Sequence, residues 1–103
     1  MDCEQINIEF EKFVPKEEQR RLFSTVADKL HMAAPSDSHL KLVIAKGQEK
    51  FKGYCRIASK IGVFVAEACS SNPEDTLSKI EKEIGRQFQA WKRTRFNDAA
   101  QAG

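Results

Sequence analysis

The side chains of this sequence that are best able to do chemistry are its three cysteines and two histidines. Cys3, Cys55 and Cys69 form no CxxC pair, and neither His31 nor His39 has a cysteine or carboxylate at a metal-ligand spacing. A small buried thiol is the usual outcome on strands such as those of Cys55 and Cys69. The sequence also lacks a GxSxG motif and a glycine-rich phosphate loop. We therefore predict no enzymatic activity, no metal site and no cofactor. An enzyme that uses Cys55 or Cys69 stays an alternative, and it requires a readily alkylated thiol.

A row of cations near the C-terminus is suited to binding. Four cations of the last predicted helix lie within roughly 60° of one another on a helical wheel, opposite the apolar side: Lys79, Lys82, Arg86 and Arg93. Lys82 and Arg86 are four residues apart and repel each other, which a helix selected for stability alone would avoid. Lys92 and Arg95 add positive charge at the end of the helix. Such a row predicts contacts with the phosphates of RNA.

Cations elsewhere in the sequence could enlarge this surface. Lys16, Arg20 and Arg21 lie on the first predicted helix and extend the surface if the two helices pack side by side. The segment Lys46–Lys52 contains three lysines and could contribute at the edge. The alternative is a solvated helix face with unbalanced charge, and Glu81 and Glu83 beside the row favour it.

The elements that position these side chains can be predicted from hydrophobic spacing. Alternating apolar residues predict a first strand over Ile6–Phe10, and a helical apolar face follows, composed of Leu22, Phe23, Val26, Ala27 and Leu30. Three further strands have short connections and are expected to form an antiparallel meander: Leu40–Ala45, Gly53–Ser59 and Val63–Cys69. Phe64, Ala66 and Ala68 share one face of the last strand, where the small alanines leave room for a helix.

The last helix has the clearest signals. Asn72 is suited to cap it, Pro73 to open it, and Glu74 and Asp75 to complement its dipole. Its core-facing side chains are Leu77, Ile80, Ile84, Phe88 and Trp91. The prediction is an α+β fold with the order β-α-β-β-β-α, in which two helices cover one face of a four-stranded sheet. Residues 1–96 form this single domain, and residues 97–103 form a flexible tail.

Composition and the N-terminal sequence indicate the cellular location of the protein but do not identify its partner. Seventeen Lys and Arg against 15 Asp and Glu give a formal charge of +2, which by itself does not imply a nucleic-acid partner. The N-terminal residues resemble no signal peptide, and no apolar run approaches the ~20 residues of a membrane span. We expect a cytoplasmic protein with reduced thiols, no membrane partner and no small-molecule substrate.

Short motifs in the last strand and helix resemble a known family. The run Ala66-Glu67-Ala68 through Ser71-Asn72-Pro73 leads into a helix with Arg86-Gln87-Phe88 and then Trp91-Lys92. In this it resembles the ribosome hibernation-promoting factors, also called the sigma-54 modulation or ribosome-associated inhibitor family. The resemblance covers roughly residues 5 to 95, and it is to the short form, which lacks a further C-terminal domain.

The resemblance implies a function in translation. Members lodge in the decoding channel of the small ribosomal subunit, occupy the path of messenger and transfer RNA, and idle the ribosome under stress. Arg86 and Lys92 match basic positions of the family. The expected partner is therefore small-subunit rRNA, and the oligomeric state is left open, with a monomer as one candidate.

A second hypothesis is a protein-interaction module that keeps the fold without binding the ribosome. Glu83 and Ala90 occupy positions that are usually basic in the family, and the near-zero net charge agrees with this reading. It predicts no RNA affinity at physiological salt and dimerisation through Val43 and Val65 on the open face of the sheet. Tyr54 is the one aromatic side chain expected on that face, so we expect no base stacking there.

Overall fold

Four strands and two helices follow one another as the sequence predicts. The computed structural model describes the backbone of residues 5–102 and the side chains of residues 5–94. The elements are β1 (Ile6–Glu11), α1 (Glu17–Ala33), β2 (His39–Lys46), β3 (Phe51–Ser59), β4 (Gly62–Ser70) and α2 (Pro73–Ala102). The sheet order is β1-β2-β3-β4; β1 and β2 are parallel, and the other two pairs are antiparallel. The predicted α+β fold, with its antiparallel meander, is confirmed.

Both helices cover the same face of the sheet and enclose the core. α1 contributes Phe23, Val26, Ala27 and Leu30, and α2 contributes Leu77, Ile80, Ile84 and Phe88. Alternate residues of the strands point toward them, so Leu42 and Ile57 are fully buried while Lys41 and Arg56 are exposed on the open face. Neither helix has, within the described residues, an apolar stretch long enough to cross a membrane.

Gly53 allows α2 to lie close against β3. A Cβ atom at this position would stand 2.5 Å from Cδ1 of Ile80 and 2.7 Å from Cγ2 of Thr76. The residue of β4 that pairs with Gly53 is Ala68, a small residue that was predicted to leave room for a helix. The Thr76 hydroxyl donates to the carbonyl of Asn72 at 2.9 Å, so this buried polar group is satisfied inside the contact.

Three details differ from the sequence predictions or lie beyond the description. Leu22, expected on the apolar face of α1 together with Phe23 and Val26, is 40% exposed, because the buried side of the helix is narrower than expected. β3 begins two residues earlier than expected, at Phe51, which leaves a shorter connection from β2. α2 is helical to Ala102, but the side chains after Thr94 lie outside the described residues, as does Cys3. The domain at 1–96 with a flexible tail at 97–103 therefore stays a prediction.

Two glycine substitutions test the close contact between α2 and β3. Gly53→Ala should lower the free energy of unfolding by about 1–3 kcal/mol, because the packed Ile80 and Thr76 must shift to admit a methyl group. Gly85→Ala, in a part of α2 where a Cβ meets nothing within 4 Å, should raise it by up to about 1 kcal/mol through helix propensity. Urea denaturation measures both changes, and equal effects of the two substitutions would contradict the contact.

Candidate nucleic-acid interface

The packing of α2 fixes which of its side chains reach solvent. Asn72 caps the helix, since its Oδ1 accepts from the backbone N–H of Asp75 at 2.7 Å. Leu77, Ile80 and Ile84 are then turned into the core and hold the rotation of the helix about its axis. The opposite side of the helix carries Lys79, Lys82, Arg86 and Arg93, and Lys92 lies on its flank, about 100° from Arg93 around the helix axis. All five side chains are exposed.

Three of these cations are available to a ligand. Lys82, Lys92 and Arg93 are exposed, and none of them makes a hydrogen bond or ion pair with another residue that the structure describes. Ten residues of helix separate Lys82 from Lys92, a rise of about 15 Å. The side chain of Arg95, also predicted to bind RNA, lies outside the described residues.

Arg86 is held by a neighbouring carboxylate. Its Nε and an Nη donate to the two oxygens of Glu83 at 3.1 and 2.7 Å, which is the two-pronged geometry of strong arginine–carboxylate pairs. The hydrogen bonds from Arg86, and then from Gln87, lower the pKa of Glu83, and the bond to Glu83 raises the pKa of Arg86. Both groups therefore stay charged over the physiological pH range. The negative charge of Glu83 then reduces the positive electrostatic potential of the row of cations around Arg86.

Lys79 is engaged at the edge of the sheet. Its Nζ donates to the backbone carbonyl of Cys69 at 3.1 Å and lies 4.0 Å from a carboxylate oxygen of Asp75. Gln87 also binds a backbone carbonyl of β4, since its side-chain amide donates to the carbonyl of Val65 at 2.8 Å. β4 is an edge strand, and such side chains cover backbone groups that would otherwise invite pairing with another strand. Lys79 thus has a structural task besides any contact with RNA.

The arginines of α1 do not join the cations of α2. The guanidinium carbon of Arg20 stands 5.9 Å from the ring centroid of Phe10 on β1, the edge strand farthest from β4, and Arg21 pairs with Glu17 at 3.3 Å. Along the seam between the helices, Glu74 accepts from Gln19 and Glu81 from Lys29. The two helices lie side by side as the sequence reading requires, but their cations point to different sides and acidic groups lie between them.

The thiols and histidines form no catalytic group within the described residues. Cys55 is fully buried between the sheet and the helices, and burial raises its pKa to about 12. Cys69 is exposed on the open face, and the N–H of His31 Nε2 donates to the Ser38 carbonyl at 3.0 Å. In the part of the chain that is described, no three histidine, cysteine or acidic side chains are grouped to hold a metal ion.

The open face of the sheet has one shallow depression that could receive a ligand. It has a volume of about 600 Å³, and Val43, Tyr54, Glu67 and Cys69 are among its lining residues. Tyr54 is half-buried with Val43 and Glu67 as its cross-strand neighbours. Because a carboxylate stands beside that tyrosine, the face does not offer the paired aromatic platform that single-stranded RNA prefers.

Alkylation of the native protein separates the two thiols. Iodoacetamide should modify Cys69, which is exposed, and spare Cys55, whose thiol is buried and stays protonated. Peptide mapping by mass spectrometry before and after unfolding in urea measures both, and Cys69 is the internal control. Rapid modification of Cys55 in the native state would contradict this assignment and would revive the thiol-enzyme alternative.

Two solved structures show how the fold of this chain compares with known proteins. A ribosomal subunit interface protein from Coxiella burnetii has a TM-score of 0.71 at 14% sequence identity, over 85% of this chain and 97% of that one. The N-terminal domain of Protein Y from Thermus thermophilus has a TM-score of 0.62 at 13% identity, over 86% of this chain and 97% of that domain. No profile of a protein family and no curated protein sequence matches the chain. At these identities the likeness establishes the fold, and it confirms the fold that the resemblance implies.

Proposed function

We propose that this protein is a ribosome-associated translation inhibitor that acts in the cytoplasm under stress. It binds small-subunit rRNA through the exposed face of α2 and blocks the path of messenger and transfer RNA. The observation that carries the proposal is the set of three exposed cations of α2, Lys82, Lys92 and Arg93, on a fold shared with a ribosomal subunit interface protein. The sequence motifs of the last strand and helix support the same partner.

The mechanism requires position and charge and no bond-making step. Each cation that meets a phosphate releases counterions, so affinity falls as salt concentration rises, and the contacts carry no sequence information. A rigid helix fixes the relative positions of the cations, because its apolar side is packed on the sheet. The bound domain inhibits by occupying volume that another RNA needs.

Charge reversal on α2 tests this assignment. The variant Lys82→Glu, Lys92→Glu, Arg93→Glu should lose co-sedimentation with purified small subunits, because three phosphate contacts become repulsive. The slope of log affinity against log salt should fall by about 2 to 3 relative to the unmodified protein. A matched variant reverses three exposed cations on the open face and the β3–β4 turn: Lys41, Arg56 and Lys60.

The control variant should still bind small subunits. If both variants sediment with them as the unmodified protein does, α2 has no role in binding. If the control variant loses binding while the α2 variant keeps it, the interface lies on the open face of the sheet instead.

Glu83 should act as an attenuator of RNA affinity. Glu83→Gln removes the carboxylate that occupies Arg86 and should raise affinity about three- to tenfold, with the salt slope larger by about 1. Arg86→Gln alone should lower affinity, because it leaves the Glu83 carboxylate unpaired, and in the double variant it should cancel the gain. Glu81→Gln is the control, because it frees Lys29 at the helix seam and not Arg86. Equal gains from Glu83→Gln and Glu81→Gln in a filter-binding assay would contradict the pairing.

A protein-interaction module is the second candidate function. Exposed valines favour it, since Val63 and Val65 are 51% and 40% exposed on the open side of the edge strand β4. The engagement of Arg86 and Lys79 by this chain's own groups also favours it. This function predicts no binding to small subunits at physiological salt, together with a concentration-dependent dimer in sedimentation velocity.

A further inference from the structure

One end of the domain gathers lysines from segments that are distant in sequence. α1 and α2 begin there, β1 and β4 end there, and β2 turns there into β3. Five exposed lysines lie at this end, and we refer to them as the lysine surface: Lys12, Lys16, Lys46, Lys50 and Lys52. The sequence indicates Lys16 and the hairpin lysines as possible additions to the cations of the last helix, but it does not indicate Lys12.

Strand register and an aromatic contact hold these segments together. Glu11 and Ala45 are the last paired residues of β1 and β2, about 5 Å apart in the backbone, and Lys12 and Lys46 follow them directly in the chain. The ring of Phe13 packs edge-on against Phe51 of β3, with centroids 5.1 Å apart. The β1–α1 connection therefore rests on the β2–β3 hairpin, and the surface is preformed.

Lys12 occupies a backbone conformation that lysine disfavours. Its φ is 68°, in the left-handed region, where glycine, asparagine and aspartate are the usual residues. Its side chain is exposed and makes no hydrogen bond or ion pair with another described residue that would offset the cost. Strained backbone conformations cluster at functional sites, so a lysine at this strained position indicates a binding residue.

Lys16 is the second locally disfavoured lysine of this end. It is the N-cap of α1, where serine, threonine, asparagine or aspartate would accept a hydrogen bond from the helix backbone. A positive charge there also opposes the helix dipole. The start of α1 is stabilised by a residue inside the helix, since Oε1 of Gln19 accepts a hydrogen bond from the Lys16 backbone N–H at 2.8 Å.

The acidic groups nearby do not neutralise the surface. Glu17 pairs with Arg21, Glu74 accepts from Gln19, and Asp75 accepts from Ser70 and lies near Lys79. Three further exposed acids without a pairing partner among the described residues lie at this end: Glu11, Glu18 and Glu49. Five lysines against these three acids leave a surplus of two positive charges.

We propose that the lysine surface is a second contact with the phosphate backbone of RNA. The proposal rests on RNA being the partner under the proposed function and adds a site at the far end of the domain. Along α2, Lys82 lies about 14 Å and Lys92 about 30 Å from Pro73, at the end that carries the lysine surface. Two contacts at a fixed separation select folded RNA with backbone segments at that spacing. Exposed lysines suit phosphate better than a protein surface, whose interface cores are depleted of lysine.

A double substitution separates binding from stability. Lys12→Asn and Lys16→Ser replace each lysine with a residue that its backbone position prefers, so the urea midpoint should stay equal or rise. Affinity for purified small subunits and for a 16-base-pair RNA duplex should fall roughly tenfold, and the salt slope by about 2. The control is Lys41→Gln with Lys60→Gln, which removes two lysines elsewhere and should keep both affinities. A residue with a merely structural role cannot give lower affinity at higher stability.

A second variant, in the β2–β3 hairpin, tests the same surface if the Lys12→Asn, Lys16→Ser variant proves less stable than the unmodified protein. Lys46→Gln, Lys50→Gln and Lys52→Gln change exposed side chains alone and should also weaken binding. Unchanged affinity in the lysine-surface variants, with loss in the α2 variant, would overturn this inference and leave the proposed function standing. Loss of subunit binding with duplex binding retained would also overturn it and assign the surface to a protein partner. If the unmodified protein binds neither subunits nor duplex, both proposals fail.

Discussion

The packing of α2 against β3 and β4 is the contact on which the rest of the structure depends. Gly53 has no side chain and its neighbour in register, Ala68, has a small one, and Ile80 and Thr76 pack against the backbone where a Cβ atom of residue 53 would stand. The helix can therefore neither rotate nor lift without opening the core. Every charge on its outer side consequently has a fixed position, which lets a domain with so little net charge present cations in a defined arrangement.

The same helix face shows how local pairing changes a charge pattern. A helical wheel counts Arg86 and Lys79 as equal to Lys82, but the structure gives each of the first two an internal partner. Arg86 is neutralised at short range by Glu83, and Lys79 covers an edge carbonyl of β4. The cations without such a partner among the described residues are fewer: Lys82, Lys92 and Arg93. Stability of the edge strand and affinity for a polyanion therefore compete for the same side chains.

Most of the fold could be predicted from the sequence, because periodic burial determines it. Ile6, Ile8 and Phe10 alternate, the apolar positions of α2 recur every three or four residues, and Asn72 and Pro73 mark where that helix begins. Leu22 was misplaced because a helical wheel does not say how wide the buried side is. The close approach at Gly53 could not be predicted, since a glycine in a strand reads equally as a bulge.

The candidate site was less predictable, because ion pairs and tertiary neighbours decide which charges are free. The spacing of Glu83 and Arg86 is visible in the sequence, but the geometry in which Glu83 occupies the Nε–Nη edge of the guanidinium is not. Lys12 and Lys16 carried a weak signal, a lysine where a turn or cap residue is usual, and it gained meaning when the Phe13–Phe51 contact joined their loop to the hairpin.

The affinity of the protein for purified small ribosomal subunits, measured across a salt series, tests the central claim most directly. Contacts between fixed lysine or arginine side chains and rRNA phosphates predict a steep linear fall of log affinity with log salt. The α2 triple reversal should flatten this line, and the open-face reversal should not. Affinity that does not change with salt, or no measurable affinity at low salt, would contradict phosphate-based binding to the ribosome.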